Sequence, residues 1–542
     1  MTGAPNPPQR PWTSRALLLV LVLGAVYRLV PFFQNPSLIV DDAMLALNVA
    51  TRSFGGLLRP LDLYQAASPA FLWALKLLTL GLGVNEFALR ALPLLAGLVL
   101  PYSVWALAGR LRPGSGDPVP VIAAALAAFS PIILQYSVSA KPYVVDALAT
   151  TIVLHCALGV LDHPDERRVW WKLMAAGTGA LLFSTPSVFV LGGVALTLGV
   201  SGAGRRGVAL MAGVWGFLFG VIYFAIMRPE SVNPYMRTFW AARFLSATTL
   251  AHPGMAWDVV KRLPAGTLLT ARGTDEPTVL LWGLAAFGAW RLWHRNPGRT
   301  ALLLAPLVAV LAAATLSLYP ISPRLDVFAA PIGFLLFAAA WDWTEGLGRA
   351  VRIGSRAAAV LLVLGVAMQG VKTTWAPGIR SIARVPRGVA PAYVFCAAIP
   401  AWVLYTTDWR HPDTARVREI LATQTAEGEA FFNAAGRGRA VSDTEGIGLR
   451  VRDGDRVELL GLAPGIQYRE GEMFSQGAPD PGWAARETER IRDAGANVWV
   501  VAVPTNSAVV RELLDSLKGR GARETVVRMD HQAALLQLHF QP

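Results

Sequence analysis

The sequence has little charge. Of its 542 residues only 16% are Asp, Glu, Lys or Arg, and 54% are hydrophobic. Soluble domains carry about a quarter charged residues, so the composition argues against a soluble protein of this length. The apolar residues fall in blocks of about 16 to 22, which as helix can cross a hydrocarbon core of roughly 30 Å. The chain is therefore predicted to be an α-helical polytopic membrane protein.

Cysteine and histidine are also scarce. The two cysteines, Cys156 and Cys396, do not suggest a disulfide framework, and the seven histidines form no cluster with zinc spacing. A P-loop, a dinucleotide-binding glycine motif and a kinase signature are all missing, which argues against nucleotide-driven chemistry. The sequence thus indicates no metal site, and it leaves a divalent metal open as a cofactor.

Positive charge is in excess, with a formal net charge of +13. A basic balance can indicate nucleic acid. Here, however, the arginines sit largely at the ends of apolar blocks, where basic residues flank membrane spans on the cytoplasmic side. We therefore expect membrane lipids, and no nucleic acid, as partners.

About eleven spans are predicted. They lie at residues 16–33, 91–109, 119–136, 143–161, 172–184, 186–201, 207–227, 278–293, 300–318, 326–343 and 356–373. The apolar segment 69–83 is only 15 residues long and carries Lys76 in its middle, so we interpret it as an interfacial helix of the first outer loop. With this assignment the short cytoplasmic loops carry thirteen basic residues and the short outer loops two, Lys141 and Arg324. The N-terminus is thus predicted inside, in a multi-pass protein of the inner (plasma) membrane.

The composition changes after the last span. Residues 374–542 have more Asp, Glu and Gly, with strand-like runs at 456–462, 497–503, 524–529 and 533–540 and a helix-like run at 507–520. This alternation predicts a small α/β domain outside the cytoplasm. Two domains follow: a transmembrane module over residues 1–373 and an extracytoplasmic α/β domain over residues 374–542.

Two adjacent carboxylates, Asp41 and Asp42, follow the first span at the outer interface. Asp41 can cap the helix that follows, and Asn48 and Arg52 would share its face of that helix. A second interpretation is a general base that takes a proton from an acceptor hydroxyl or amine. The sequence leaves both open.

Two further outer stretches carry charge. Lys141 and Asp146 lie at a hinge between spans, where charge is costly unless it is paired or functional. Arg324 follows Tyr319 in a tight outer loop. Its guanidinium can bind phosphate oxygens, pair with Asp326 or meet a lipid headgroup. Because the predicted topology puts all these stretches on one side, we expect a single outward cavity lined by Asp41, Asp42, Lys141 and Arg324, which suits a lipid-phosphate leaving group.

The order of these motifs resembles the bacterial GT-C glycosyltransferases, in the branch related to protein O-mannosyltransferases and aminoarabinose transferases (glycosyltransferase family 39-like). The resemblance spans most of residues 16–410. It is carried by Asn35-Pro36-Ser37-Leu38, Val40 to Asn48, Arg52-Ser53-Phe54, Pro60-Leu61-Asp62, Gln65, Asn85 to Arg90, Tyr136-Ser137, Lys141-Pro142-Tyr143, Asp146, Tyr319-Pro320, Arg324, Tyr393-Val394-Phe395 and Ala397 to Ala401.

The resemblance implies a reaction. A hexose or pentose would move, with inversion, from a polyprenyl-phosphate donor to an extracytoplasmic acceptor such as a glycan, a lipid or a protein. The catalytic residues would be Asp41, as the base, and Asp42. The donor phosphate would be bound by Lys141, Arg324 and Tyr319. The substrate cavity would be lined by Asn48, Arg52, Tyr64, Gln65, Tyr143 and Asp146.

The sequence departs from the family pattern in two places. The usual Asp-Glu pair is Asp41-Asp42 here, and Ser139 or Ala140 stands where this branch often has Glu. Two other functions stay open. A transporter or flippase of a lipid-linked solute would show repeats or broken helices with midplane charges. A non-enzymatic membrane assembly protein would use the C-terminal domain for binding.

Overall fold

The structure is a computed structural model. It describes residues 11–38, 40–112, 117–261, 278–341, 348–371, 378–383, 391–395, 398–422, 457–458, 467–470, 482–503, 505, 508–530 and 533–540.

The N-terminal two thirds of the chain is helical. Its helices are α1 (Pro11–Gln34), α2 (Val40–Thr51), α3 (Pro69–Leu82), α4 (Glu86–Leu111), α5 (Val119–Phe129), α6 (Pro131–Ser137), α7 (Tyr143–Asp162), α8 (Arg167–Phe183), α9 (Ser187–Val200), α10 (Arg205–Ile222), α11 (Arg228–Ser231), α12 (Pro234–Phe239), α13 (Ala247–Leu250), α14 (Pro253–Val260), α15 (Thr278–Arg295), α16 (Pro297–Thr315), α17 (Ala330–Ala339) and α18 (Arg349–Val371). Short 3₁₀ turns cover Gly56–Leu58, Asp62–Tyr64, Ala241–Arg243 and Asp326–Ala329, and a π turn covers Tyr223–Met227.

Over the residues that the structure describes, each predicted span overlaps a helix or a broken helix. Residues 342–343 and 372–373, at the ends of two predicted spans, lie outside the described ranges. Within the described residues, six helices are long and apolar enough to cross a membrane, or seven if the bent pair α5–α6 is one span. The helices at Pro69–Leu82, Ser187–Val200 and Asp326–Ala339 are apolar but shorter. The chain is a multi-pass membrane protein, and the number eleven and the orientation stay predictions. The helix α3, predicted to be interfacial, has 14 residues, and the ammonium of its Lys76 contacts the Val49 and Ala50 carbonyls at the end of α2 at 2.9 and 3.0 Å.

A break in the third predicted span sets the position of the loop before α7. The axes of α5 and α6 differ by 53° across Ser130 and Pro131. A proline at this point prevents the helix from continuing straight. The buried Arg28 guanidinium donates to the carbonyls of Ala127 and Ala128, at 2.9 and 2.6 Å, so the last carbonyls of α5 are satisfied. The chain then runs through α6 into the loop that carries Lys141.

The C-terminal part is built on a six-stranded mixed sheet. Its strands are β1 (Ala392–Val394), β2 (Val457–Glu458), β3 (Gln467–Glu470), β4 (Asn497–Ala502), β5 (Ala522–Asp530) and β6 (Ala533–Phe540), and its helices are α19 (Ile379–Ala383), α20 (Ile399–Thr406), α21 (Trp483–Asp493) and α22 (Ala508–Gly519). The strand order is β2-β3-β1-β4-β6-β5. The strand β1 pairs in parallel with β3 and β4, and the other pairs are antiparallel.

The predicted α/β architecture of this part is confirmed. The run at 497–503 contains β4, the run at 524–529 lies within the longer β5, the run at 533–540 coincides with β6, and the run at 507–520 contains α22. The run at 456–462 contains β2, and its other residues lie outside the described ranges. The strand β3 and the helix α21 were not predicted, since α21 is mostly polar (WAARETERIRD) and lacks an apolar run. The boundary at residue 373 stays a prediction.

Strand periodicity gives the sheet two apolar faces. Val498 and Val500 of β4 are buried in one core with Leu513 of α22. Val501 of β4 and Leu535 of β6 instead belong to the main core of the molecule. Successive side chains of a strand point to opposite faces of the sheet. One face therefore packs against the helices α21 and α22, and the other packs toward the membrane helices. The sheet is thereby held against the helical part.

Candidate active site

The loop after α1 leads directly into the site. Asn35 takes a left-handed conformation (φ 49°) just after α1 ends, and α2 begins at Val40. Asp41 and Asp42 lie in the first turn of α2, where the positive end of the helix dipole favours carboxylates. The two side chains face different surroundings, because neighbouring helix residues point about 100° apart.

Asp41 faces an open cavity and forms an ion pair across it. Its Oδ2 lies 2.9 Å from Nη1 of Arg324, and the two side chains are about one third exposed. The guanidinium also lies over the ring of Trp240, 5.0 Å from its centroid. Burial alone would raise the pKa of the Asp41 carboxyl. The Lys141 ammonium and the Arg324 guanidinium outweigh it, so this pKa is lowered and Asp41 is ionised at neutral pH.

Lys141 reaches the same cavity from the loop between α6 and α7. Its Nζ donates to Oε1 of Gln65 at 2.7 Å, and the side chain is largely buried. Burial lowers the pKa of this lysine, although Asp41 and Asp42 act in the opposite direction. The sequence alone leaves open whether Lys141 pairs with Asp146. In the structure the Lys141 ammonium donates to Gln65 instead.

Asp42 points away from the cavity into the protein. Both of its carboxylate oxygens lie within hydrogen-bond distance of the Ser139 hydroxyl, at 2.8 and 2.9 Å. Burial raises the pKa of Asp42, against the lowering effect of Lys141, Arg90 and the Ser139 hydrogen bond. Asp41 and Asp42 are thus neighbours in sequence with pKa shifts of opposite direction, which separates their roles.

The cavity has a volume of about 320 Å³. It lies between the first outer loop, the loop before α7, the start of α9, the segment from Ile226 to Phe244 and the turn after α16. Its polar lining includes eight of the eleven predicted site residues: Asp41, Tyr64, Gln65, Lys141, Tyr143, Asp146, Tyr319 and Arg324. Arg59 and Arg237 also line it.

Eight of the eleven predicted site residues thus line the cavity. The other three are Asp42, Asn48 and Arg52. The rest of the lining is largely apolar, with Leu57, Leu72, Met227 and Phe239 among it. A polar end that carries cations and an apolar wall suit a ligand with a charged head and a hydrocarbon tail.

Asn48 and Arg52 do not line the cavity, and they stabilise the first outer loop through hydrogen bonds and an ion pair. The Asn48 amide exchanges hydrogen bonds with the backbone of Asp62, at 2.9 and 3.1 Å. Arg52 pairs with the Asp62 carboxylate at 2.9 Å and donates to the Pro60 carbonyl. The sequence places them on the face of Asp41, but the structure gives them loop contacts instead.

These contacts hold an unusual turn. Leu63 and Tyr64 both have positive φ, 60° and 55°, a region that side chains other than glycine seldom adopt. The turn directs Gln65 toward Lys141, and Nε2 of Gln65 donates back to the Leu63 carbonyl at 3.0 Å. Strain of this kind persists only where neighbouring contacts fix it.

Tyr319, Tyr143 and Asp146 form another part of the wall. The Tyr319 hydroxyl donates to the Leu325 carbonyl at 2.9 Å, which ties the turn that carries Arg324. The Tyr143 ring packs edge-on against Tyr136. Asp146 is buried, and its Oδ1 has no hydrogen-bond partner among the described residues.

Sequence reasoning missed the roles of Arg90 and Trp240. Arg90 donates to Asn35 Oδ1 at 3.0 Å and to the Ser37 carbonyl at 3.4 Å, and its charge acts on Asp42. The available signal was a basic residue at the outer end of a predicted span, where positive charge is uncommon. Trp240 is distant from Arg324 in sequence, and only the fold brings its ring under the guanidinium.

No group of three or more His, Cys, Asp or Glu residues that could hold a metal ion is found in the described ranges.

The comparisons with known proteins agree on the fold. Residues 66–232 match the family model described as dolichyl-phosphate-mannose-protein mannosyltransferase. The structure of ArnT from Cupriavidus metallidurans bound to undecaprenyl phosphate is similar, with 16% identity, a TM-score of 0.51 and coverage of 97% of this chain and 98% of that one. No curated protein matches the chain in sequence.

Two further solved structures are similar at lower scores. The apo state of the same ArnT has 14% identity and a TM-score of 0.49, with 97% of each chain covered. The Archaeoglobus fulgidus oligosaccharyltransferase in complex with Zn and sulfate has 12% identity and a TM-score of 0.47. The alignment covers 72% of this chain and 61% of that one.

The resemblance drawn from the sequence is therefore confirmed. The chain is a polytopic membrane protein with an ArnT-like fold and a small C-terminal mixed sheet, and its residues 66–232 match the dolichyl-phosphate-mannose-protein mannosyltransferase family model.

Proposed function

We propose that the protein transfers a sugar from a polyprenyl-phosphate donor to an acceptor outside the cytoplasm. Asp41 is the general base, and Lys141 and Arg324 bind the donor phosphate. The observation that supports this most is the convergence of Asp41, Lys141 and Arg324 in one cavity with an apolar wall. These residues come from three separate segments of the chain.

The reaction needs both kinds of charge. An acceptor oxygen or nitrogen attacks the anomeric carbon, the bond from that carbon to the phosphate oxygen breaks, and the electron pair leaves with the phosphate. The proton of the acceptor passes to Asp41. Attack opposite the leaving phosphate inverts the anomeric centre. The donor phosphodiester carries one negative charge, whereas the released phosphate carries up to two, so nearby cations stabilise the transition state more than the bound donor.

Because Asp41 pairs with Arg324, the pKa of Asp41 depends on whether the donor is bound. In the structure Arg324 and Lys141 lower the pKa of Asp41. A bound donor phosphate shares these two cations, so their effect on Asp41 weakens and its pKa rises. The carboxylate then becomes a better proton acceptor, and this happens only when the donor is in place.

The test is donor turnover by purified protein. Wild type and Asp41→Asn are supplied with a panel of polyprenyl-phosphate sugars and a membrane extract as acceptor, and released polyprenyl phosphate is measured. We expect release by wild type and a loss of about 10²–10⁴-fold in Asp41→Asn. Asp258→Asn is the matched control, since Asp258 is exposed and does not line the cavity.

Each outcome has a distinct meaning. Full activity of Asp41→Asn would contradict the role of Asp41 and leave the reaction class intact. Donor binding by wild type without turnover would contradict the transferase and favour the transport of a lipid-linked solute.

A further inference from the structure

A second, larger groove lies between the first turns of α8 and α10. Its volume is about 670 Å³, and its lining includes Arg167, Trp170, Trp171, Arg205 and Arg206. None of these residues belongs to the candidate active site.

This groove lies at the opposite end of the spans from the candidate active site. Lys141 precedes the first residue of α7, whereas Pro164 of the groove wall follows its last residue, Asp162. The 20 residues of α7 correspond to about 30 Å of helix, the thickness of a hydrocarbon core. The two cavities therefore adjoin different leaflets.

Positive charge is concentrated at the N-terminal ends of the two helices that form the groove, where it is unusual. Both α8 and α10 begin with two arginines, Arg167-Arg168 and Arg205-Arg206. The N-terminal end of a helix already has partial positive charge, so basic residues there are unfavourable by themselves. Among the described residues, Asp165 is the single carboxylate that lines the groove. An anion bound at this point would relieve the repulsion.

The arginines are available to a ligand. In the part of the chain that the structure describes, the side chains of Arg205 and Arg206 have no hydrogen bond or ion pair. The Arg167 guanidinium lies over the ring of Trp171, 5.8 Å from its centroid. Arg167, Arg205 and Arg206 are all exposed. Guanidinium groups bind phosphate oxygens through paired N–H donors.

The wall beside them is apolar and shaped by glycine. Trp170 donates from Nε1 to the Pro164 carbonyl at 2.8 Å, which fixes its ring. A Cβ at Gly204 or Gly207 would come within 3.0 or 2.8 Å of that ring, so glycine permits the close approach. Leu210 continues the wall along α10, where Phe217 is also exposed, and Phe224 is exposed in the π turn that follows.

We propose that this groove binds an anionic glycerophospholipid of the leaflet that adjoins it. The lipid phosphate meets Arg167, Arg205 and Arg206, and an acyl chain follows Leu210 along α10. A soluble phosphate would use the arginines alone, whereas the apolar wall continuous with the lipid-facing side of α10 fits a lipid.

The test measures lipid binding by native mass spectrometry on the full chain in detergent. The probes are phosphatidylglycerol and phosphatidylcholine of equal chain length, with glycerol phosphate as a soluble competitor. The variant Arg205→Gln/Arg206→Gln removes two charges from the groove. The control Arg168→Gln/Lys172→Gln removes two charges from the same end of α8, at positions that do not line the groove.

We expect wild type and the control to prefer phosphatidylglycerol, and the Arg205/Arg206 variant to bind it about tenfold or more weakly with unchanged melting in phosphatidylcholine. An equal loss in both double variants would overturn the proposal, because general surface charge would then explain binding. Equal binding of the two lipids, or full displacement by glycerol phosphate, would also overturn it.

Discussion

At the scale of single residues, two adjacent carboxylates differ because of what surrounds them. Asp41 faces cations across an open cavity, and its pKa is lowered. Asp42 is buried against Ser139, and its pKa is raised. The sequence predicted both as catalytic. The geometry suits Asp41 for contact with substrate and Asp42 for holding the loop before α7, and these roles stay proposals.

The lowered pKa of Lys141 predicts a pH dependence. Its ammonium binds the donor phosphate only when it is protonated. As the pH rises through a pKa below that of an ordinary lysine, the charge is lost and the KM for the donor increases. Lys141→Arg keeps its charge at these pH values, so the increase in KM should move to higher pH. Donor KM measured against pH checks this.

The exposed lysine of α8 provides the comparison. Lys172→Arg lies at the other end of the spans and should leave the profile of the wild type unchanged. An identical alkaline limb in wild type and Lys141→Arg would contradict the assignment of that limb to Lys141.

At the scale of elements, the break between α5 and α6 depends on one buried arginine. Arg28 satisfies the Gly24, Ala127 and Ala128 carbonyls. Arg28→Met leaves at least the two carbonyls of α5 without donors, and each such buried group costs about 1–3 kcal/mol. We expect a clearly lower melting temperature in detergent and reduced donor binding, because Lys141 follows this break.

Arg15→Met is the matched control for the same helix, since Arg15 is exposed near its start. It should melt like wild type. Equal melting of Arg28→Met and wild type would show that the break does not need this guanidinium.

At the scale of the whole molecule, a small polar network holds the C-terminal part to the loop before Asp41. Arg380 pairs with Glu86 at 2.6 Å and donates to the Asn35 carbonyl at 2.7 Å. The Tyr405 hydroxyl donates to Glu86 and accepts from the Leu38 backbone N–H at 2.8 Å. The C-terminal part thus contacts the segment that leads into α2.

Removal of Arg380 should therefore affect both stability and activity. In Arg380→Met the buried Glu86 loses its ion-pair partner, which we expect to lower stability by about 2 kcal/mol or more. Arg416→Met breaks an exposed pair with Glu419 and should change stability by less than about 1 kcal/mol. Melting and donor turnover of both variants check this, and equal behaviour of the two would contradict a positioning role for the network.

The sequence by itself determined the class of the protein and its helices. Apolar blocks long enough to cross a bilayer must become helices, because the hydrocarbon offers no other partner for the backbone. Strand periodicity likewise predicted β4, β5 and β6. Both features are local, so they can be read from a single segment.

The tertiary structure decided which charges meet. Asp41 and Arg324 are 283 positions apart, and their contact depends on the packing of the helices between them. The same packing places Asp42 against Ser139. It also places Asn48 and Arg52 in contact with the turn that contains Asp62. Helical spacing could place Asp41, Asn48 and Arg52 on one face of α2, but it could not show that a loop folds back over part of that face. Which residues distant in sequence come into contact depends on the packing of the whole chain. The sequence therefore predicted a set of cavity residues, and in the structure only some of them line the cavity.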